Sequence, residues 1–156
     1  MAKHSAGLLL YRSAEGGGIE LLLVHPGGPF WARKDAGAWS IPKGEHAEGD
    51  DPEAVARREF AEETGSPAPS AAALPLGGVV QAGGKRVTAF AVPGSFDPGT
   101  LNSNRVEIEW PPRSGRRLSI PEVDRAAWFA PDLAREKLVP AQRAFVDRLL
   151  AALQAS

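Results

Sequence analysis

Three glutamates, Glu59, Glu62 and Glu63, crowd the run Arg58-Glu59-Phe60-Ala61-Glu62-Glu63. On a helix, positions three and four apart share a face, so these side chains would project into one small volume. Carboxylates held that close repel one another unless a cation sits among them. Crowded hard oxygen donors suit Mg2+ or Mn2+. The chemistry on offer is that of a divalent ion fixed on a rigid helix: neutralising anionic oxygens and activating water. A carboxylate run alone is more often a solvated helix face, so the surrounding residues must carry the case.

The scaffold for that cluster is readable on both sides. Asp51-Pro52-Glu53 supplies a capping oxygen and a proline at the first helical position. Gly65 is a good helix stop. The spacing predicts a helix over 52–64, with Ala54, Val55, Ala56, Phe60 and Ala61 as its apolar side. Upstream, Trp39-Ser-Ile-Pro42 leads into a turn at Gly44. The apolar runs 5–12 and 19–25, separated by the turn at 15–18, read as neighbouring buried strands. Segments 76–82 and 85–92 read as paired strands around Gly83-Gly84, after a proline-rich connector at 66–75. Residues 105–110 alternate with period two, and 126–130 is a further strand. A short helix at 131–138 precedes an amphipathic one at 140–154, where Phe145, Leu149 and Leu153 recur at four-residue steps beside Val146 and Leu150. Strands, a helix, more strands and a final helix argue for an α/β fold with a mixed sheet flanked by helices.

At 156 residues the chain fits one domain, 1–156. Its net charge of −1 and pI near 6.3 supply no field for nucleic acid or anionic lipid. The charge is uneven, however. Residues 50–63 carry Asp50, Asp51, Glu53 and the three glutamates against Arg57 and Arg58, a local −4. Residues 105–117 carry Arg105, Arg113, Arg116 and Arg117 against Glu107 and Glu109, a local +2. An acidic metal-holding patch and a basic anion-holding patch together suit a phosphorylated small molecule. The absence of cysteine excludes disulfides, thiolate catalysis and cysteine-based zinc sites; it fits a reducing cytoplasm. The run Ala6 to Tyr11 is too short for a signal peptide, and nothing approaches the ~20 apolar residues of a spanning helix. The expectation is a soluble cytoplasmic protein.

The order Gly44-x5-Asp50-x7-Arg58-Glu59-Phe60-x-Glu62-Glu63-x-Gly65-Ser66 resembles the signature of the Nudix hydrolases. Gly44, Arg58, Glu59, Glu62, Glu63 and Gly65 match it outright. Asp50 stands where the family has glutamate, and Ser66 where it usually has an aliphatic residue. The resemblance implies an α/β/α sandwich and divalent-cation-dependent hydrolysis of a nucleoside diphosphate linked to another moiety X. It further implies that Glu59, Glu62 and Glu63 bind Mg2+ or Mn2+, with the Gly44 carbonyl free to approach metal or substrate. The resemblance also allows Glu59 to deprotonate the attacking water instead of ligating, a role that some members of the family give to a glutamate outside the box. Arg58 would orient a carboxylate through a bidentate pair.

Outside this box, Glu122, Glu107, Glu109 and Asp50 are candidates for an extra ligand or base, each weighed against a plain surface charge. Lys43, Arg113, Arg116 and Arg117 are candidates for phosphate contact. Trp31 and Trp39, with Phe30, are candidates for stacking on a base, set against simple packing of a long loop. His4, His25 and His46 lack metal-ligand spacing, and the glycine-rich 76–84 is not a phosphate loop. Nucleoside triphosphates, dinucleoside polyphosphates and nucleotide sugars all remain open as substrates. A non-catalytic nucleotide-binding or sensing module is the alternative function, and a cation-binding structural domain a third. The oligomeric state is not written in the sequence.

Overall fold

The computed structural model describes residues 3–155. Strand β1 (His4–Ser13) is the centre of a six-stranded mixed sheet. Its partners are β2 (Ile19–Pro26), β3 (Lys43–His46) and, after helix α1 (Pro52–Thr64), β5 (Arg86–Pro93). Strand β4 (Leu74–Val80) and strand β8 (Val123–Phe129) form the two outer edges, in the order β4-β5-β1-β2-β8. Helices α2 (Pro131–Lys137) and α3 (Arg143–Ala155) follow. A short 3-10 turn over Pro140–Gln142 takes the place of the helical start expected at 140.

One feature of the sheet positions the site. β1 runs parallel to β5 along one edge, but two strands share its other edge. Residues 4–7 pair antiparallel with β3, and residues 11–13 pair with β2. The sheet therefore forks, and segment 39–42 enters the fork. There the Leu8 amide donates to the Pro42 carbonyl at 3.0 Å, while Val24 and Ser40 exchange two backbone bonds.

The continuous apolar runs of β1 and β2 are explained by burial on both faces. Leu8, Leu10 and Leu22 pack with Val55, Ala56 and Phe60 of α1. Leu9, Leu21 and Leu23 turn to the opposite face and pack with Phe145, Val146 and Leu149 of α3. Helices thus cover both faces of a mixed sheet, the sandwich expected from the sequence.

Two strands were not legible as such. Gly44 lies in β3, opposite Ala6, rather than in a turn. Four residues are too few to show a period. Likewise β7 (Arg117–Pro121), a segment given no element from the sequence, pairs with β6 (Arg105–Glu109) in a separate two-stranded ribbon. Only residues 110–116 form the connecting loop. The connector after α1 is held by Arg57, which donates to the Pro69 carbonyl at 2.6 Å and the Ala71 carbonyl at 2.9 Å. Among the described residues no helix is long and apolar enough to cross a membrane.

Candidate active site

Helix α1 begins and ends as its termini dictate. The Asp51 carboxylate accepts from the Glu53 amide at 3.3 Å. Gly65 adopts φ 79°, and its amide donates to the Ala61 carbonyl. The helix buries two rows four residues apart: Val55, Glu59 and Glu63, and beside them Ala56, Phe60 and Thr64. Ala54, expected on the apolar side, is exposed. The Phe60 row anchors the helix in the core, and that anchoring drives Glu59 and Glu63 inward with it.

Glu62 does not join them. At roughly 100° per residue, Glu63 lies about 40° from Glu59 on one side and Glu62 about 60° on the other. Glu62 is exposed and Glu63 is buried. The three carboxylates therefore divide into two inside and one at the rim, which corrects the expectation of a single cluster. Arg58 bridges this division. Its guanidinium stands 3.6 Å from a Glu59 oxygen and 3.8 Å from a Glu62 oxygen, in place of a bidentate pair on either.

At Gly44 strand β3 leaves room for the Glu59 side chain of α1. A Cβ there would lie 2.1 Å from the Glu59 carboxyl carbon. The glycine is required by this approach and not by its backbone angles.

A third carboxylate arrives from far along the chain. Glu122 lies between β7 and β8, with its amide donating to the Asn104 carbonyl and its carbonyl accepting from Gly27. Burial, followed by the Glu122 charge, pushes the Glu63 carboxyl up to about 9, against the pull of Lys43. Burial and the charges of Glu62 and Glu122 also raise Glu59, opposed by Arg58. Burial, helped by Lys85, lowers Lys43, while Glu63 and Glu122 oppose that shift.

The site gathers Glu59, Glu62, Glu63 and Glu122 against Arg58, Lys43 and Lys85, and burial keeps the Glu63 carboxyl protonated up to about 9, a proton that a bound cation would replace. Its donors are all hard oxygens, the set that suits Mg2+ or Mn2+. The residues present therefore fit a divalent cation by chemistry. Among the described residues, though, no three acidic or histidine side chains are gathered as a ready ligand set. Closing one around an ion requires these side chains to turn toward it.

Lys43, Glu63 and Glu122 open onto a cavity of about 280 Å³ at the fork in the sheet, which Trp31 and Ile41 also line. Other candidates lie elsewhere. Trp39 is buried in the core, edge-on to His25 and Phe129, and its indole donates to Asp35 at 2.8 Å. It does not line this cavity. Asp50 accepts from the Ala47 amide and closes an exposed turn. Glu109 caps the loop of the ribbon, accepting from the Arg113 and Gly115 amides at 3.1 Å. Glu107, Arg113, Arg116 and Arg117 are exposed on the same ribbon and do not line the cavity.

Sequence reasoning passed over Gln142 and Gln81, which do line it. Gln142 is fully buried although polar. Its signal was present: it stands three and four residues before Phe145 and Val146, so the spacing of the apolar stripe of the last helix extends back to it in the preceding 3-10 turn.

Fold and site together define a class of protein. The family model for the NUDIX domain matches residues 1–149. Similar solved structures include a binary complex of the C. elegans Ap4A hydrolase, 21% identical over 99% of this chain and 100% of that chain, TM-score 0.68. The NUDIX domain of Shewanella oneidensis NrtR complexed with ADP ribose is 16% identical over 98% and 89%, TM-score 0.62. The Nudix hydrolase RenU of M. smegmatis is 24% identical over 97% and 86%, TM-score 0.57. At these identities the likeness is one of fold. No curated protein matches the sequence. The chain belongs to the Nudix hydrolase family.

Proposed function

We propose that this protein hydrolyses a phosphoanhydride bond in a nucleoside diphosphate linked to another moiety, with Mg2+ or Mn2+ as cofactor. The observation that carries the reading is that Glu63, Glu122 and Lys43 line one cavity, with Glu59 buried one turn before Glu63 on the same helix row and within electrostatic reach of Glu122. Two structural neighbours, the Ap4A hydrolase and the NrtR domain with ADP ribose, support a nucleotide as the ligand class.

Glu59, Glu62 and Glu63 would hold the cation, with the Gly44 carbonyl adjacent and Glu122 as a further ligand or base. When bound, the ion supplies positive charge against the anhydride oxygens. Arg58, straddling Glu59 and Glu62, sets their relative positions. Lys43 offers its ammonium to a phosphate oxygen. Either Glu59, closed in against Gly44 and then not a ligand, or Glu122 from outside the box takes the proton from the attacking water. The water oxygen bonds to phosphorus as the bridging P–O bond breaks, and the leaving phosphate carries away the bond pair. Most of the catalysis then comes from positioning and electrostatics, for which a rigid helix fixes the backbone from which the glutamates turn to the cation.

Incubation with nucleoside triphosphates, dinucleoside polyphosphates and nucleotide sugars, with Mg2+ or Mn2+ or a chelator, tests this. Metal-dependent release of phosphate, pyrophosphate or nucleotide is the expected result, and H2¹⁸O identifies the phosphorus attacked. Binding without cleavage of any of them would instead establish a non-catalytic nucleotide-sensing module.

A further inference from the structure

The cavity wall carries a hydrogen-bond chain whose direction is set by the backbone. The Ile41 amide can only donate, and it donates to the Gln142 Oε1 at 3.0 Å. That contact fixes which way the buried Gln142 amide faces. Its Nε2 must then donate, and it does so to Ser40 Oγ at 3.0 Å and to Gln81 Oε1 at 2.8 Å. Gln81 is oriented in turn, with its oxygen engaged and its NH2 left over as a donor.

The backbone of Gln81 is equally constrained. Its amide donates to the Lys85 carbonyl at 2.8 Å and its carbonyl accepts from Gly84 at 3.0 Å, closing the turn between β4 and β5. Gln81 is half-buried and lines the same cavity as Trp31, Val24 and Ile41, which supply apolar surface for a flat ring.

We propose that Gln81 is a specificity-determining residue: its carboxamide NH2 donates to ring-edge acceptors of the substrate's base and selects a 6-oxopurine over adenine. This rests on reading the cavity as a nucleotide site. Guanine presents two neighbouring acceptors, N7 and O6, whereas adenine presents an acceptor beside an amino donor. A carboxamide matches adenine when both its oxygen and its nitrogen are free. Gln142 occupies one lone pair of the Gln81 oxygen, so the group of this carboxamide with no partner in the wall is its NH2, a donor.

The test is equilibrium binding of GMP and AMP, with Mg2+ present, to the wild type and to Gln81→Glu. The substitution preserves shape and still accepts from Gln142, but turns the presented donor into an acceptor. The wild type is expected to bind GMP roughly tenfold more tightly than AMP, and Gln81→Glu to lose or reverse that ratio. Taking a ratio cancels the repulsion of the new carboxylate for either phosphate. Equal binding of the two by the wild type, an unchanged ratio in the variant, or binding of neither overturns the assignment. Neither monophosphate contains an anhydride. Selective GMP binding by a chain that cleaves nothing would thus refute the hydrolytic reading while leaving Gln81 in its role.

Discussion

Gly44 and Glu59 are in contact as closely as a strand and a helix permit: the missing methyl of Gly44 would fall within 2.3 Å of both Glu59 carboxylate oxygens. Gly44→Ala must therefore displace that carboxylate or push β3 from α1. The expected outcome is a ten- to hundredfold fall in kcat, on the order of what a ~1 Å misplacement of a reacting group costs. Circular dichroism should remain that of the wild type. Steady-state rates close to wild type would remove Glu59 from the chemistry.

Glu63→Gln separates catalysis from stability. Turnover should drop at least ~10²-fold, because the amide cannot hold the cation. Without metal, the variant should melt no lower than the metal-free wild type at neutral pH, since burial holds the Glu63 carboxyl up to about 9 and folding must protonate it, a cost that an amide does not carry. Mn2+ should raise the melting temperature of the wild type more than that of the variant. Thermal melts with and without a chelator check both statements, and equal Mn2+ shifts would remove Glu63 from the ligand set.

Acid should loosen the 27–39 loop through Asp35. Hydrogen bonds from Lys137 and from the Trp39 indole hold the Asp35 carboxyl below its ordinary value of 3.8. A depressed carboxylate contributes stability above its unfolded value and loses it as pH falls through the folded one. Asp35→Asn should therefore cost less than ~1 kcal/mol at pH 7, the Asp35 side chain being 55% exposed and its charge screened by solvent. The two proteins should converge as pH drops below 3.8. Urea midpoints across the acid range give the comparison, and a pH-independent gap would contradict it.

Arg57 is a structural clamp. It reaches Glu53 at 3.2 Å as well as the Pro69 and Ala71 carbonyls. Arg57→Ala strands two acceptors on the connector and should cost about 1–3 kcal/mol, with little change in kcat. Urea unfolding alongside activity would show the split, and an unchanged midpoint would rule the clamp out.

Much of this molecule is decided locally. The start and stop of α1 follow from Asp51, Pro52 and Gly65, because a cap oxygen, a proline ring and a left-handed glycine act within one turn of the chain. The burial of β1 and β2 on both faces follows from unbroken apolar runs. The order of box residues names the family, since one helix carries Arg58 and all three glutamates. What lay beyond that reach was anything set by distant partners. β3 and β7 exist through their pairing with β1 and β6, β3 being too short to show a period and β7 carrying no alternation of burial. Glu62 was separated from Glu63 when the Phe60 row chose which face of α1 to bury. Glu122 comes to the site only because β8 joins the sheet beside β2, some 60 residues of sequence beyond α1. The facing of Gln81 depends on an Ile41 amide and a Gln142 side chain that meet at the fork of the sheet. Periodicity and caps act over a few residues, while a cavity is assembled by contacts that no single stretch of chain contains.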